Sequence, residues 1–523
     1  MTKRSLFSLL FVLAAVSFAR AEEPSWQNMD SDAVALYDQG KYAEALEAAE
    51  RALAVAEKTF GKKHPNVAVT LGNLASIQKM QGRYEEAERT YRRALEIHEK
   101  ALGKDHPNVA ATLNNLASLC RFEGRYTEAE RLYERSLVIY RKAFGEGHPQ
   151  VATSLNNIAE LRRAQGHYAE AEPLYKQSLE ISEKSFGEAH PHVATSLNNL
   201  AELYRLQGRY KEAEPLYRRA VRIIRGADAG SNPLLATYLN NQALLEKSLG
   251  RYQEAELLYK EALKIAEAAL KPDHPEIVPF LNNLAELYRV ENKHGQAEEL
   301  YKRALAISRG RSGEERPQTA ASLSNMGELY RAQSRFAEAR PLLESALEIR
   351  RKIHGPRHPE AASGLSGLAA LEFSEGNYDK AKALYEETLA LREETLGKSH
   401  PDVANTLINL GSVHQTQAKY AEAEPLYQRA ISIMEECYGP GHFMVASGLN
   451  NLALLYKTQG KYTEAEPLYK RAIGLLEKGL GPDHPDTAVV LENYAAFLRQ
   501  VGRAKEAVPL EQRARSPRRD GST

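Results

Sequence analysis

The sequence predicts an all-α solenoid of about twelve stacked helix-turn-helix units, and three observations carry that prediction. A His-Pro dipeptide recurs with a period of 42 residues, at His64-Pro65, His106-Pro107, His148-Pro149, His190-Pro191, His274-Pro275, His358-Pro359, His400-Pro401 and His484-Pro485. The gaps keep the count, because Asn232-Pro233 and Arg316-Pro317 retain the proline and His442-Phe443 retains the histidine. Between these marks apolar residues fall at helical spacing in two stripes, and a glycine separates the stripes. A period this strict means one unit repeated, each burying its apolar face only against its neighbours.

The chain starts with Lys3-Arg4, an apolar run from Leu6 to Phe18 and the small-x-small end Ala19-Arg20-Ala21, then Glu22-Glu23-Pro24. That order reads as a cleavable export signal over residues 1–21, with an uncleaved anchor as the rival reading. The run falls short of the roughly 20 residues that span a bilayer. The expected product is therefore exported, periplasmic or secreted, and not inserted in the membrane after cleavage.

Residues 22–513 hold the repeats, and the unit from Pro107 to Gly145 shows their logic. Val109, Leu113, Leu116 and Cys120 form one stripe on a first helix. Gly124-Arg125-Tyr126 ends it, since glycine takes the left-handed conformation that closes a helix. Ala129, Leu132, Tyr133, Leu137 and Tyr140 face inward on a second helix, Gly145 closes that one, and Pro149 opens the next from its first turn. Prolines at Pro173, Pro215, Pro341, Pro425, Pro467 and Pro509 lie within two turns of a second-helix start, where the expected effect is a slight bend. The junctions Arg225 to Pro233 and Gly310 to Pro317 lose the histidine and predict bends or weak interfaces. Residues 514–523, rich in arginine and without apolar periodicity, read as a disordered basic tail.

Composition narrows the function. Lys+Arg and Asp+Glu are equal at 69 each, so no global field attracts nucleic acid. Nine of the 15 histidines sit at the junction, but stacked equivalents lie on the order of 10 Å per interhelical step apart, too far to share a metal ion. A structural role in hydrogen bonding at the helix connection is expected. Cys120 stands where Tyr204, Tyr288, Tyr330 and Tyr456 stand in other units and reads as packing. Cys437 aligns with Ala101, Ala143, Ser185 and Ala269, and the two cysteines are too distant along the array to pair. No phosphate loop, nucleophile elbow or metal-binding His-Glu-x-x-His occurs, so neither an enzyme nor a cofactor is expected.

The string Leu113-Asn114-Asn115-Leu116-Ala117, Gly124-Arg125-Tyr126, Glu128-Ala129-Glu130 and Leu132-Tyr133 resembles the tetratricopeptide repeat, whose small residues pack where Ala117 and Ala129 stand and whose aromatics pack where Tyr126 and Tyr133 stand. The 42-residue length, with Leu-Gly-Lys-Asp-His-Pro-Asn-Val-Ala at 102 to 110, is similar to the repeats of kinesin light chains. The resemblance implies a right-handed superhelix whose first helices line a concave groove for a peptide or protein ligand. It departs from kinesin light chains before Tyr42, where no sustained heptads appear, so motor biology is not implied.

By that resemblance the candidate ligand groove comprises Asn114, Asn115, Asn156, Asn157, Arg163, Asn198, Asn199, Glu202, Arg205, Asn240, Asn241, Lys247, Asn282, Asn283 and Arg289. The second asparagine of each pair recurs from Asn73 to Asn493 and fails only at Gly367. Such uniformity fits either bonding inside the scaffold or an amide ladder for a ligand's peptide groups. The basic residues one and two turns on could receive carboxylates, or could neutralise glutamates three residues earlier. Two functions follow: an exported non-enzymatic adaptor binding peptide or protein segments in the groove, or a structural spacer using the outer face and the ends. Oligomeric state stays open.

Overall fold

The computed structural model describes residues 26–39, 41–227, 232–310 and 317–515. The expected export signal, parts of the two irregular junctions and the tail from 516 onward lie outside them. The described residues form twelve helix pairs. The first six are α1 (Trp26–Asp38) with α2 (Tyr42–Phe60), α3 (Pro65–Met80) with α4 (Tyr84–Leu102), α5 (Pro107–Phe122) with α6 (Tyr126–Phe144), α7 (Pro149–Ala164) with α8 (Tyr168–Phe186), α9 (Pro191–Leu206) with α10 (Tyr210–Ala227), and α11 (Pro233–Ser248) with α12 (Tyr252–Leu270). The second six are α13 (Val278–Val290) with α14 (His294–Arg309), α15 (Pro317–Ala332) with α16 (Phe336–His354), α17 (Pro359–Ser374) with α18 (Tyr378–Leu396), α19 (Pro401–Thr416) with α20 (Tyr420–Tyr438), α21 (Ala446–Thr458) with α22 (Tyr462–Gly479), and α23 (Pro485–Gln500) with α24 (Ala504–Arg515). A single 3-10 turn, Pro275–Ile277 or Phe443–Val445, precedes α13 and α21.

Each boundary has a local cause. His106 precedes α5 in extended conformation, its Nδ1 accepts the amide of Asn108 at 3.1 Å, and Pro107 fills the first helical position where no donor is needed. The same cap recurs at His64, His148, His190, His274, His358, His400, His442 and His484, while Asn232 supplies a side-chain oxygen to Leu234 instead. A ring nitrogen that accepts carries no proton, so the neutral ring holds its proton on Nε2. At the far end Gly124 turns to φ +71° and the Arg125 amide reaches back to the Cys120 carbonyl at 2.9 Å. Each interior proline is the sixth residue of its helix, so a single backbone bond near the start is lost and the helix continues.

The stripes read from the sequence are buried: Val109, Leu113, Leu116 and Cys120 on α5 pack with Ala129, Leu132, Tyr133, Leu137 and Tyr140 on α6. Ala117 and Ala129 have no exposed surface. The apolar core also runs across the junction after α10, joining Ile224 to Leu235, so the weak interface expected there is absent among the described residues. The last helix extends to Arg515 with Ala514 buried, taking in the first two residues of the expected tail, because Ala507 and Ala514 still have the α23 face to pack on. Burial pushes the Cys120 thiol up to about 12, which fits packing.

First helices touch first helices from pair to pair, as in α3 with α5 and α13 with α15. Shared contact of that kind places the first helices on the inside of the curve.

The curve closes on itself after six pairs. The N-terminal end of α17 stands on the C-terminal end of α5, where His358 Nε2 lies 2.9 Å from the Phe122 carbonyl. His484 Nε2 reaches the Ser248 carbonyl of α11 at 3.2 Å, and His400 and His442 face the carbonyls of Ala164 and Gln207. His274 faces Asp38 more loosely, without a closed bond from Nε2. Rings pack across the same seam, Tyr84 on His354 at 5.4 Å, Tyr168 on Tyr438 at 5.9 Å and Tyr210 on Phe443 at 5.7 Å. Twelve pairs therefore make two stacked turns. The histidine has two jobs: Nδ1 caps its own helix, and from the sixth junction on Nε2 is turned toward the turn below.

Candidate functional site: the inner face of the first helices

The paired asparagines bond one another. Asn199 donates to Asn156 at 2.9 Å, Asn241 to Asn198 and Asn283 to Asn240 at 3.0 Å each, and Asn493 to Asn450 at 3.1 Å. Asn73 starts the series by donating to Asp30 at 2.6 Å. Of the first asparagines Asn114, Asn198, Asn240 and Asn282 are buried and Asn156 is half-buried, while the second asparagines Asn115, Asn157, Asn199, Asn241 and Asn283 are half-buried. Asn114 donates to Ser154 at 3.4 Å and Asn282 to Ser322 at 3.2 Å. Bonds from one pair to the next rivet adjacent first helices, which favours the scaffold role for Asn156, Asn198, Asn240 and Asn450, whereas the Oδ1 of Asn114 is buried without a partner.

One turn further along, the glutamates and basic residues meet. Arg205 grips Glu202 with two bonds of 2.7 Å, Arg289 grips Glu286 in the same way, and Arg163 reaches Glu160 at 2.6 Å. A tyrosine from the second helix supports each carboxylate, Tyr175 under Glu160, Tyr217 under Glu202 at 2.7 Å and Tyr301 under Glu286 at 3.3 Å. Burial pushes the Glu202 carboxyl upward, but the bonds and charge of Arg205 with the Tyr217 hydroxyl outweigh it and hold the group below the usual carboxylate range. These pairs neutralise themselves.

Three cations of the first turn have no glutamate three residues earlier, and in the second turn Lys457, after Leu454, is another. Ser76, Ser118 and Leu244 stand at the glutamate position in the units of Lys79, Arg121 and Lys247. Lys79 donates to Ser118 at 2.9 Å, and burial followed by the charge of Arg121 brings its pKa down to about 8. Arg121 keeps a buried Nε without a partner. Burial lowers Lys247 as well, Glu286 opposing and Arg205 and Arg289 adding to the shift. On this inner face Glu160 acts on Arg121 and Glu286 on Lys247 from the neighbouring unit, without the direct grip that holds Arg163, Arg205 and Arg289.

The sequence reading missed a cavity of about 260 Å³ between α15, α17 and α19. It opens where the pattern shrinks: Ser324 and Ser366 replace the first asparagine, Gly367 the second, Ala370 the glutamate and Leu343 the supporting tyrosine. A Cβ on Gly367 would meet only Leu343 Cδ2 at 3.5 Å and Glu328 Oε1 at 3.8 Å, so packing does not demand this glycine. Arg350 forms part of the wall, buried, donating to Ser324 at 2.7 Å and to Glu360 at 3.2 Å. The failure of the asparagine pattern at Gly367 was the available signal, whereas the inward turn of Arg350 had none.

The model of the tetratricopeptide repeat family matches ten stretches, 33–100, 79–137, 108–184, 150–226, 192–268, 233–310, 276–352, 318–394, 360–436 and 444–516. The chain belongs to the tetratricopeptide repeat family. Among solved structures, this array is similar to BtubC (BKLC) from P. vanneervenii, with 26% identity over 47% of this chain and 92% of that one, TM-score 0.36. It is also similar to the nearly identical TPR-like repeats of a Podosopora anserina kinesin light chain, with 27% identity over 40% of this chain and 100% of that one, TM-score 0.34. A Rap protein complexed with competence and sporulation factor shares 17% identity over 71% of this chain and 98% of that one, TM-score 0.47. A comparison with curated proteins finds no match. The tetratricopeptide array is a protein-interaction fold.

Proposed function

We propose that this chain is an exported, non-enzymatic adaptor whose inner face binds an acidic polypeptide segment. The observation that carries the reading is the set Lys79, Arg121 and Lys247, three inward cations in units that lack the compensating glutamate present beside Arg163, Arg205 and Arg289. Buried cations left under-compensated gain most from an incoming carboxylate. The cavity at Gly367 would then lodge one side chain of the segment. The segment Met1 to Ala21 supports export.

The test is affinity capture with the chain starting at Glu22, beside a variant carrying Lys79→Gln, Arg121→Gln and Lys247→Gln whose helicity is checked by circular dichroism. Partners lost from the variant alone, and released from the parent by salt, support the reading. Partners held equally by both contradict it. The asparagine ladder favours a second reading, a spacer that works through its outer face and ends, and equal retention would be its signature.

A further inference from the structure

We infer that the cavity beside Gly367 is a binding site for a free α-amino acid, whose ammonium group meets Glu328 and whose carboxylate meets Tyr385. The inference goes beyond the adaptor reading, which rests on the cations of the first turn and gives this cavity only a side chain of the segment.

In the ordinary unit a tyrosine of the second helix donates to the glutamate fifteen residues before it, as Tyr217 does to Glu202 at 2.7 Å and Tyr301 to Glu286 at 3.3 Å. Two neighbouring units break that pair from opposite sides. Glu328 keeps the carboxylate, but Leu343 stands in place of its tyrosine; Tyr385 keeps the hydroxyl, but Ala370 stands in place of its glutamate. Arg331 takes only Oε2 of Glu328, at 2.8 Å, whereas Arg205 and Arg289 each take both oxygens of their glutamates. Among the described residues nothing donates to Oε1 of Glu328, nothing accepts from Tyr385, and Asn409 makes no bond to Ser366, although Asn199 and Asn156 are joined at the same two positions. All of these unpaired side chains line one cavity of about 260 Å³.

A lost partner does not by itself leave a site. Tyr259 and Tyr469 also lack their glutamate, but Leu244 and Leu454 take its place in the same apolar clusters, and each hydroxyl is buried without a partner. Beside Tyr385 the replacements are smaller, Ala370 and Gly367, and Leu343 leans onto Gly327, where a Cβ would stand 2.7 Å from its Cγ. The space is several times the about 30 Å³ of one water and just short of the about 300 Å³ at which drug-sized sites begin, which sets the occupant at metabolite size.

Oε1 of Glu328 is an acceptor in need of a donor, and the Tyr385 hydroxyl is a donor in need of an acceptor. Water can serve either one, but an α-amino acid supplies both on one carbon, and its charged groups make the stronger bonds. Burial pushes the Tyr385 hydroxyl up to about 12, Arg331 and Arg392 opposing and Glu328 adding, so it stays protonated and donates. A simple carboxylate would satisfy Tyr385 but set a like charge against Glu328, and an amine would leave Tyr385 without an acceptor. The ligand's side chain then runs along α17 towards Ser363, about 10 Å from Ala370, where Ser324 and the buried Arg350 favour a polar group.

Calorimetry on the chain starting at Glu22 tests this with the common free amino acids and, for each binder, its N-acetyl methylamide, which carries the side chain as a polypeptide would. Ala370→Glu and Leu343→Tyr each rebuild the pair found in other units, so both variants should fold, and each occupies one of the two bonding groups. The expected result is saturable binding of one free amino acid per chain, weakened about ten-fold or more by blocking its ends and by either variant. Binding should be unchanged in the variant carrying Lys79→Gln, Arg121→Gln and Lys247→Gln, so the adaptor reading and this one fail separately. No saturation by any amino acid up to about 10 mM, or unchanged affinity in either cavity variant, would overturn the inference. Equal affinity of the free and blocked forms would overturn it too, and return the cavity to a side chain.

Discussion

Replacing Gly166 by alanine should cost far more than replacing Gly376, although both glycines end a first helix with positive φ, +76° and +83°. In either place alanine must adopt the left-handed conformation, at about 1–2 kcal/mol. Nothing lies within 4 Å of a Cβ on Gly376, so the backbone term is all that Gly376→Ala should show. At Gly166 the added Cβ stands 3.0 Å from both His400 Cδ2 and Pro401 Cδ, atoms of a ring pair held by a helix cap. Overpacking of that kind costs about 1–3 kcal/mol, giving a total of about 2–5 kcal/mol for Gly166→Ala. Because repeat arrays unfold unit by unit, a single melting midpoint is a poor gauge. Hydrogen exchange of the amides around Gln165 and around Asp402 reads the seam directly, and small-angle scattering reads separation of the turns. Faster exchange on both sides of the seam for Gly166→Ala, with no such change for Gly376→Ala, is expected. Identical behaviour of the two variants would refute the stacking of the turns.

Acid should loosen the same seam. Burial holds His358, His400, His442 and His484 below the ordinary value of about 6.5, against opposing contributions from the seam carbonyls of Phe122, Ala164, Gln207 and Ser248 and from Glu360 beside His358, Asp402 beside His400 and Asp486 beside His484, with Arg392 and His167 adding to the shift at His400. His354, stacked on Tyr84, is brought down to about 4 by burial and then by His358 and Arg350. Each ring is harder to protonate folded than unfolded, so stability is level above about pH 6.5 and falls as the pH drops below it; thermal scans between pH 8 and 5 check this, and a rise in stability toward pH 5 would contradict it. Asn198→Ala removes the acceptor of Asn241 and strands a half-buried amide, which should cost about 1–3 kcal/mol in urea unfolding of the surrounding units. Gly367→Ala should do the opposite and stabilise by about 0.5–1 kcal/mol, since the helix interior gains a Cβ that has room; a loss of stability would show that the cavity wall is tighter than the 3.5 Å contact indicates.

The repeat was legible because its cause is local. The stripe Val109, Leu113, Leu116 and Cys120, the breaker Gly124 and the cap His106-Pro107 act within one unit and recur often enough to be unmistakable. What lay outside that reach was any contact set by the closure of the curve. His358 and Phe122 meet across 236 residues, and the acceptor is a backbone carbonyl that leaves no trace in composition. Glycine at 124, 166, 208 and 250 gives no trace either, because Gly376, Gly460 and Gly502 keep it where no turn lies above. The groove residues divide in the same way. Glu202 with Arg205 was foreseeable as a self-neutralising pair from their spacing, whereas the bond from Asn241 to Asn198 depends on the register of neighbouring helices. Lys79 and Arg121 stand apart because serine replaces glutamate three residues earlier.

The most direct test of the adaptor account is hydrogen exchange on the complex captured by the chain that starts at Glu22. The account predicts protection of first-helix amides around Lys79, Arg121 and Lys247, with the second helices α4, α6 and α12 little changed. Protection confined to the second helices or to the ends of the array, with the first helices exchanging as in the free chain, would contradict it.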